Sequence, residues 1–232
     1  MEFFEAVKRR RSIRKFTEKA VPNEVIEKAL AAAILAPNSS NTQTWDFYWV
    51  QTPEKKAKLV KYCLNQSAAR SANQLIVIVA DYKLWKRSHK PLIQWVKDSR
   101  APKIVLEYYK KLIPFTYRAG FFNAFTPIKV CISFFTGLVR PMMRIPRGTL
   151  GLQEVAIKSA ALAAENFVLA IAAQDYDSCM MEGFDEWRVK HLLGLSWFSS
   201  RVVMVIGVGE SHERGTWGPQ MRLPLDQVVH KV

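Results

Sequence analysis

The sequence predicts a layered fold of helices and sheet, α/β or α+β, on three observations. Leu75-Ile76-Val77-Ile78-Val79-Ala80 is a continuous apolar run of strand length, which reads as a central strand covered on both faces. Stretches of helical periodicity alternate with shorter strand-like runs along most of the chain. Residues Leu152 to Ala173 read as a helix that is apolar on nearly every side, through Val155, Ile157, Leu162, Phe167, Val168 and Ile171. Such a helix has to be buried by its own core or by a second subunit. No period of roughly 20–50 residues recurs, which excludes a solenoid.

The elements follow in order. Residues 2–11 read as a short helix. Pro22 opens a second one, Asn23 to Ala36, and Pro37 stops it. The polar stretch Asn38-Ser39-Ser40-Asn41-Thr42-Gln43 reads as a loop, and Trp45 to Val50 as an aromatic strand. Thr52 is the cap and Pro53 the first residue of another helix. After the apolar strand, residues 82–148 break the rhythm. Beyond the long helix come a short strand near Ser178 to Met181, a helix from Asp185 to Leu193 closed by Gly194, and a last strand, Val202 to Val208. The tail, Gly209 to Val232, is rich in turn residues.

The chain has 232 residues, 49% of them hydrophobic, which suits one globular domain that buries a core without staples. Cys63, Cys131 and Cys179 are odd in number and far apart, with no C-x-x-C pair. They argue against a disulfide framework or a zinc site and for a reducing compartment. The N-terminus is charged within two residues and has no apolar signal core, so the expected location is the cytoplasm. The net charge of +14 is unevenly placed. Between Lys83 and Arg147 there are 14 Lys or Arg against Asp98 and Glu107, while the other residues are close to neutral.

Four segments could carry chemistry. Arg9-Arg10-Arg11-Ser12-Ile13-Arg14 puts four guanidinium groups and a hydroxyl within six residues, a set that matches phosphate oxygens; its plainer reading is a solvated basic helix end. Pro37 to Trp45 is dense in amides and hydroxyls that suit a polar heterocycle, or is an ordinary capped loop. Glu182-Gly183-Phe184-Asp185 joins a strand end to a helix start, where backbone N–H groups are free, and Asp185 alternatively serves as the helix cap. Gln220-Met221-Arg222-Leu223-Pro224-Leu225 offers one more arginine.

Taken together and in this order, the four segments resemble the nitroreductase family of FMN enzymes, over roughly residues 1–81 and 150–232. The family's Arg-x-Ser-x-Arg/Lys stands here as Arg10, Ser12 and Arg14, and its Pro-Ser-Ser-x-Asn-x-Gln-Pro-Trp as Pro37 to Trp45. Its Glu-Gly-Phe-Asp turn stands intact at Glu182 to Asp185, and its Lys-x-Arg-x-Pro-Leu as Gln220, Arg222, Pro224 and Leu225. The helix holding Glu165 and Asn166 is similar to the family's long dimer helix. Asn38 and Thr44 depart from the pattern, and Gln220 stands where a phosphate-binding Lys is common, with Arg214 or a neighbour as a substitute.

The resemblance implies an α+β fold with a central mixed sheet flanked by helices, in an intertwined homodimer with two FMN sites. Arg10, Arg11, Ser12, Arg14, Gln220 and Arg222 would hold the phosphate and ribityl chain. Asn65 would touch the isoalloxazine edge. Pro37, Asn38, Ser39 and Asn41 would contact the flavin across the subunit interface. Met181, Glu182 and Gly183 would line the ring, with the Glu182 backbone facing N5. Arg14 would also place positive charge near the N1–O2 edge, where it stabilises anionic reduced flavin. The implied chemistry is ping-pong transfer of electrons from NAD(P)H to a nitroaromatic, quinone or similar electron-poor acceptor, with no side chain as acid or base. Another flavin reaction, dehalogenation or desaturation, is the alternative activity. The alternative class is an interaction module built on a flavin scaffold.

Other motifs are set aside. Gly207-Val208-Gly209 follows a strand, but too little chain remains for a dinucleotide-binding unit. His89, His191, His212 and His230 have no metal spacing. Gly194-Leu195-Ser196-Trp197 lacks the second Gly of a nucleophile elbow.

The segment 83–147 reads as an insert over the active site within a single domain, 1–232. It holds 11 of the 27 aromatic residues, including Trp85, Trp95, Tyr108, Tyr109, Phe121, Phe122, Phe125, Phe134 and Phe135. Arg118 and Lys129 interrupt its longest apolar run, which argues against a spanning helix there. It is read as an enlarged lid or as a contact with an anionic membrane surface, with a nucleic-acid partner disfavoured.

Overall fold

A computed structural model describes residues 1–118, 125–141 and 148–232; Phe121, Phe122, Arg144 and Arg147 of the insert lie outside the described residues. The elements are α1 (Phe3–Arg9), α2 (Asn23–Ala33), β1 (Trp45–Trp49), α3 (Pro53–Tyr62), α4 (Ser67–Ser71) and β2 (Gln74–Asp81). The insert supplies α5 (Trp85–Asp98), α6 (Lys103–Glu107), a π-helical turn (Tyr108–Leu112), α7 (Ile113–Tyr117) and α8 (Thr126–Val139). Then come α9 (Gly148–Ala173), β3 (Asp177–Met181), α10 (Glu186–Leu193), β4 (Ser200–Gly209) and α11 (Leu225–Val228). The fold is α+β. The four strands form one sheet in the order β1-β2-β4-β3, and all three ladders are antiparallel. The mixed character expected of the sheet is confined to an isolated parallel bridge between Ser12 and Ser178.

Alternation along the strands divides the core in two. Ile76, Ile78 and Ile206 face one layer with Ile26, Ala163, Phe167 and Ile171 of α2 and α9. Leu75, Val77 and Val205 face the other, with Leu59, Ala69 and Val189 of α3, α4 and α10. The central strand is thus covered on both faces, as its unbroken apolar run implies. The register shifts between Ile78 and Val79, opposite Met204 and Val202. Val203 is the extra residue of this bulge, which lets both Val203 and Met204 pack toward the α9 layer.

Helix boundaries differ from the sequence expectation where the chain must serve a neighbour. α1 ends at Arg9 because Arg10 turns extended, toward the Ser12 bridge. α2 stops at Ala33 and closes through turns at Ile34 to Ala36. α9 starts four residues earlier than the apolar pattern, at Gly148. By length and composition α9 could cross a bilayer, yet half of its apolar window is buried in the protein, against α2 and the sheet. In the insert, Pro114 has no N–H to give to the preceding turn, and the helix widens into its π turn just before it.

Candidate functional site

The residues singled out in the sequence fall into three patches, and β3 connects two of them. Ile13 N–H donates to the Ser178 carbonyl at 2.9 Å, which holds the segment after α1 in extended form along the start of β3. Extended backbone alternates its side chains, so Ile13 is buried in the core while Ser12 and Arg14 face outward. The C-terminal tail returns over this segment. Arg14 N–H donates to the Gly215 carbonyl at 2.7 Å, and the Arg11 guanidinium donates to the Gly218 carbonyl at 2.5 Å. Gly215 permits this approach, because a Cβ there would stand 2.8 Å from the His212 carbonyl oxygen and 2.9 Å from that of Lys15.

The result is a cleft of about 240 Å³, lined by Arg10, Arg11, Ser12 and Arg14 on one side and by residues 216–222, including Gln220 and Arg222, on the other. No acidic side chain lines it. Arg14 lies 4.0 Å from the centre of the Trp217 ring, a cation–π contact that fixes its guanidinium at the rim. Arg14 also acts on β3: burial pushes the Cys179 thiol pKa up, and the Arg14 charge draws it back part of the way. Arg10 is 21% exposed, its nearest carboxylate is Glu165 of α9 at 3.8 Å, and its Nε is buried with no hydrogen-bond partner.

Two arginines drop out of the set. Arg9 donates to the Ala172 carbonyl at 2.6 Å and faces Asp175 and Asp177 at 3.5 and 3.8 Å. It closes the C-terminus of α9, where carbonyls and the helix dipole attract a cation. Arg214 does not line the cleft, whereas Arg11 does, beside Gln220.

The second patch is the turn at the other end of β3. Glu182 and Gly183 are exposed, whereas the Met181 side chain is buried in the core, so Met181 can offer only its backbone to a ligand. Gln66 Nε2 donates to the Gly183 carbonyl at 2.5 Å and to that of Cys63 at 3.0 Å. It also lies 3.2 Å from where a Cβ of residue 183 would be. Asn65 is exposed beside it, in the left-handed region at φ 52°, with its N–H donated to the Val60 carbonyl. Asp185 caps α10 by accepting from Arg188 N–H, which is its plainer reading.

The third patch, Pro37 to Gln43, lies elsewhere on the chain, over the middle of α9. Ser39 N–H points to Ser159 Oγ at 3.5 Å, six residues and so roughly 9 Å along the axis from Glu165. Asn38 Oδ1 accepts from Gln43 N–H at 2.8 Å and its amide donates to Asn41 Oδ1 at 3.3 Å, so the loop braces itself. The insert covers it: Ser40 bonds the Tyr108 hydroxyl, and Thr42 Oγ1 bonds that of Tyr117 at 3.1 Å. Within one chain, Pro37, Asn38, Ser39 and Asn41 do not line the arginine cleft. Trp217 and Gln66 were missed by sequence reasoning. Gln66 had a signal in its neighbour Asn65, and Trp217 had none beyond its place among turn residues.

The cleft suits a phosphate monoester: it has charge, forked donors and a hydroxyl, and no acid–base pair. Among the described residues no cluster of His, Cys, Asp or Glu could hold a metal.

Comparison with known proteins is consistent across sequence and structure. The model of the Nitroreductase family matches residues 7–210. A Streptococcus pyogenes protein provisionally named an NAD(P)H nitroreductase is 29% identical over 233 residues, which covers all of both chains. Mouse iodotyrosine deiodinase 1 is 31% identical over 108 residues, 45% of this chain and 36% of that protein. Among solved structures, a nitroreductase family protein of Streptococcus pneumoniae superposes with a TM-score of 0.72 at 26% identity, over all of both chains. A protein of Exiguobacterium sibiricum solved in complex with FMN gives 0.74 at 21% identity, covering 100% of this chain and 98% of that one.

Proposed function

The chain belongs to the nitroreductase family, and on that premise we propose that it is an FMN-dependent oxidoreductase that draws electrons from NAD(P)H. The observation that carries this reading is the cleft that joins Arg10, Arg11, Ser12 and Arg14 to Gln220 and Arg222, with no acidic side chain in its lining. Guanidinium forks and the Ser12 hydroxyl bind and orient a phosphate group. β3 sets the distance to the ring site: four residues separate Ser178 from Glu182, about 13 Å of extended chain. That is the order of length from a phosphate through a ribityl chain to the reactive part of a flavin ring. At that end the exposed Glu182 and Gly183 backbone would hold the ring, with Asn65 at its edge, and Gln66 braces the turn by donating to the Gly183 carbonyl.

When bound, FMN would supply the redox chemistry that links NAD(P)H to a nitroaromatic, quinone or similar electron-poor acceptor by a ping-pong route. This chain's own residues bind and orient the cofactor. The Pro37–Asn41 loop acts across a homodimer interface, which accounts for its distance from the cleft in one chain. Exposed Phe3, Phe4 and Val7 on α1, Ile34 and Leu35 after α2, and Leu162 on α9 are the apolar surface available for that interface.

The test is a turnover assay on protein reconstituted with FMN. NADH or NADPH oxidation that accelerates on adding a quinone or nitroarene supports the reading, and parallel initial-rate lines support ping-pong. A flavin-loaded protein inert toward all such acceptors but active on a halogenated phenol would favour the dehalogenating alternative. That reading draws on the partial match to iodotyrosine deiodinase.

A further inference from the structure

The insert carries a helix whose polarity runs opposite to that of an ordinary surface helix. In α8 no residue is buried. The half-buried positions that face the protein are Thr126, Lys129, Ser133, Thr136 and Gly137, a polar and small stripe at spacings of three, four, three and one. The face turned outward is apolar: Phe134 is 57% exposed, Phe135 66%, Leu138 67% and Val139 89%, with Ile128 and Ile132 on the same side. Lys129 is tied inward, its ammonium donating to the carbonyls of Thr116 and Arg118 at 3.0 and 2.6 Å. At 14 residues, about 21 Å, the helix is too short to span a bilayer.

Charge decides what covers this face. The segment around it holds 14 basic residues against two acids. Among the described residues only two of those bases are ion-paired, Arg87 with Asp46 and Lys111 with Glu107. An open cleft of about 540 Å³ lies beside α8, with Pro114, Phe115, Phe125 and Ile128 as apolar walls and Lys110 and Arg118 among its cations. A second copy of the chain laid on this face would set one basic segment against another, and an acidic protein would not match six exposed aliphatic and aromatic side chains. An anionic bilayer matches both, since it offers hydrocarbon beneath a negative surface.

We propose that α8 lies in the plane of an anionic lipid membrane, its Ile128–Val139 face buried below the headgroups and the flanking bases on the phosphates. The inference rests on the insert alone and stands whether or not the chain binds flavin. It gives a protein of this kind access to a lipophilic acceptor without a spanning segment.

Full-length protein tests it directly, with vesicles of phosphatidylcholine alone and of phosphatidylcholine mixed with phosphatidylglycerol. Cys131 is a built-in reporter: it is exposed on α8, while Cys63 and Cys179 are buried. An environment-sensitive fluorophore on Cys131 should shift to the blue with anionic vesicles, and the protein should co-sediment with them, less so at high salt. F134E/F135E should lower the partition by at least about tenfold, since two buried rings are replaced by charges, and leave the circular dichroism and thermal midpoint unchanged. No co-sedimentation of the intact protein with anionic vesicles overturns the proposal. So does equal binding by F134E/F135E, or a drop in oligomeric mass in that variant, which would assign the face to a second copy.

Discussion

At the scale of single residues, the arginine run divides by what each side chain meets. Arg10 and Arg14 reach the cleft, while Arg9 closes α9. R10A or R14A should therefore weaken FMN binding by about 1.5–3 kcal/mol, the worth of a hydrogen bond to a charged group. R9A should leave FMN affinity unchanged and lower the thermal midpoint instead, through about 1 kcal/mol of lost capping. Flavin fluorescence quenching and a melting curve on the three variants separate the two effects. Thr44 is a second test: its hydroxyl is buried without a partner at the position where the resemblance has proline. T44V keeps the shape and removes the unmet group, so it should be neutral or stabilising by up to about 1 kcal/mol in urea unfolding. The residue types of the cleft were legible in the sequence because they recur in one chain order. Which arginine serves structure was not, since that depends on Ala172, 163 positions away.

At the scale of elements, the strands were read closely because two-sided burial writes an unbroken apolar run, and β2 extends the run by only one residue at each end. Helix ends were read less well. α9 extends to Gly148, four residues beyond its apolar pattern, and the insert was not divided into helices in the sequence although Leu92, Val96, Tyr109, Ile113 and Tyr117 pack into the α9 layer, while α8 buries nothing. Cys63, at the end of α3, gives this scale its own prediction. Burial pushes its thiol up from 9.0 to about 12. A thiol with a raised folded value holds its proton after the unfolded chain has lost one. Its contribution is fully present below pH 9 and is lost as pH rises from about 9 to 12, by up to about 4 kcal/mol. Buried Tyr82, Tyr109 and Tyr117 are shifted up as well and act in the same direction. Unfolding curves at pH 8 and 11 check this, and C63A should show a smaller alkaline loss than the native chain. The turn at Glu182-Gly183 is held by Gln66, and G183A has to displace that amide by a few tenths of an ångström. It should perturb the bound flavin spectrum more than the overall stability.

At the scale of the whole molecule, one chain holds the arginine cleft, the exposed Glu182-Gly183 turn and a polar loop set apart from both. The proposed function unites them in a homodimer, and on that reading sedimentation should give twice the 26.6 kDa chain mass. A monomer with full FMN affinity would remove the loop from the site. The uneven charge was legible in the sequence, but the inverted face of α8 was not, because which side of a helix meets the protein is a property of packing and not of composition. The central claim is that the N-terminal arginines and the tail grip a phosphate. Parallel titrations with FMN and with riboflavin, which lacks only the phosphate, test it most directly. Two charge-assisted contacts are worth roughly 3–6 kcal/mol, so FMN should bind at least about a hundredfold more tightly, and R14A should narrow the gap. Equal affinity for the two flavins in the native protein would contradict the account.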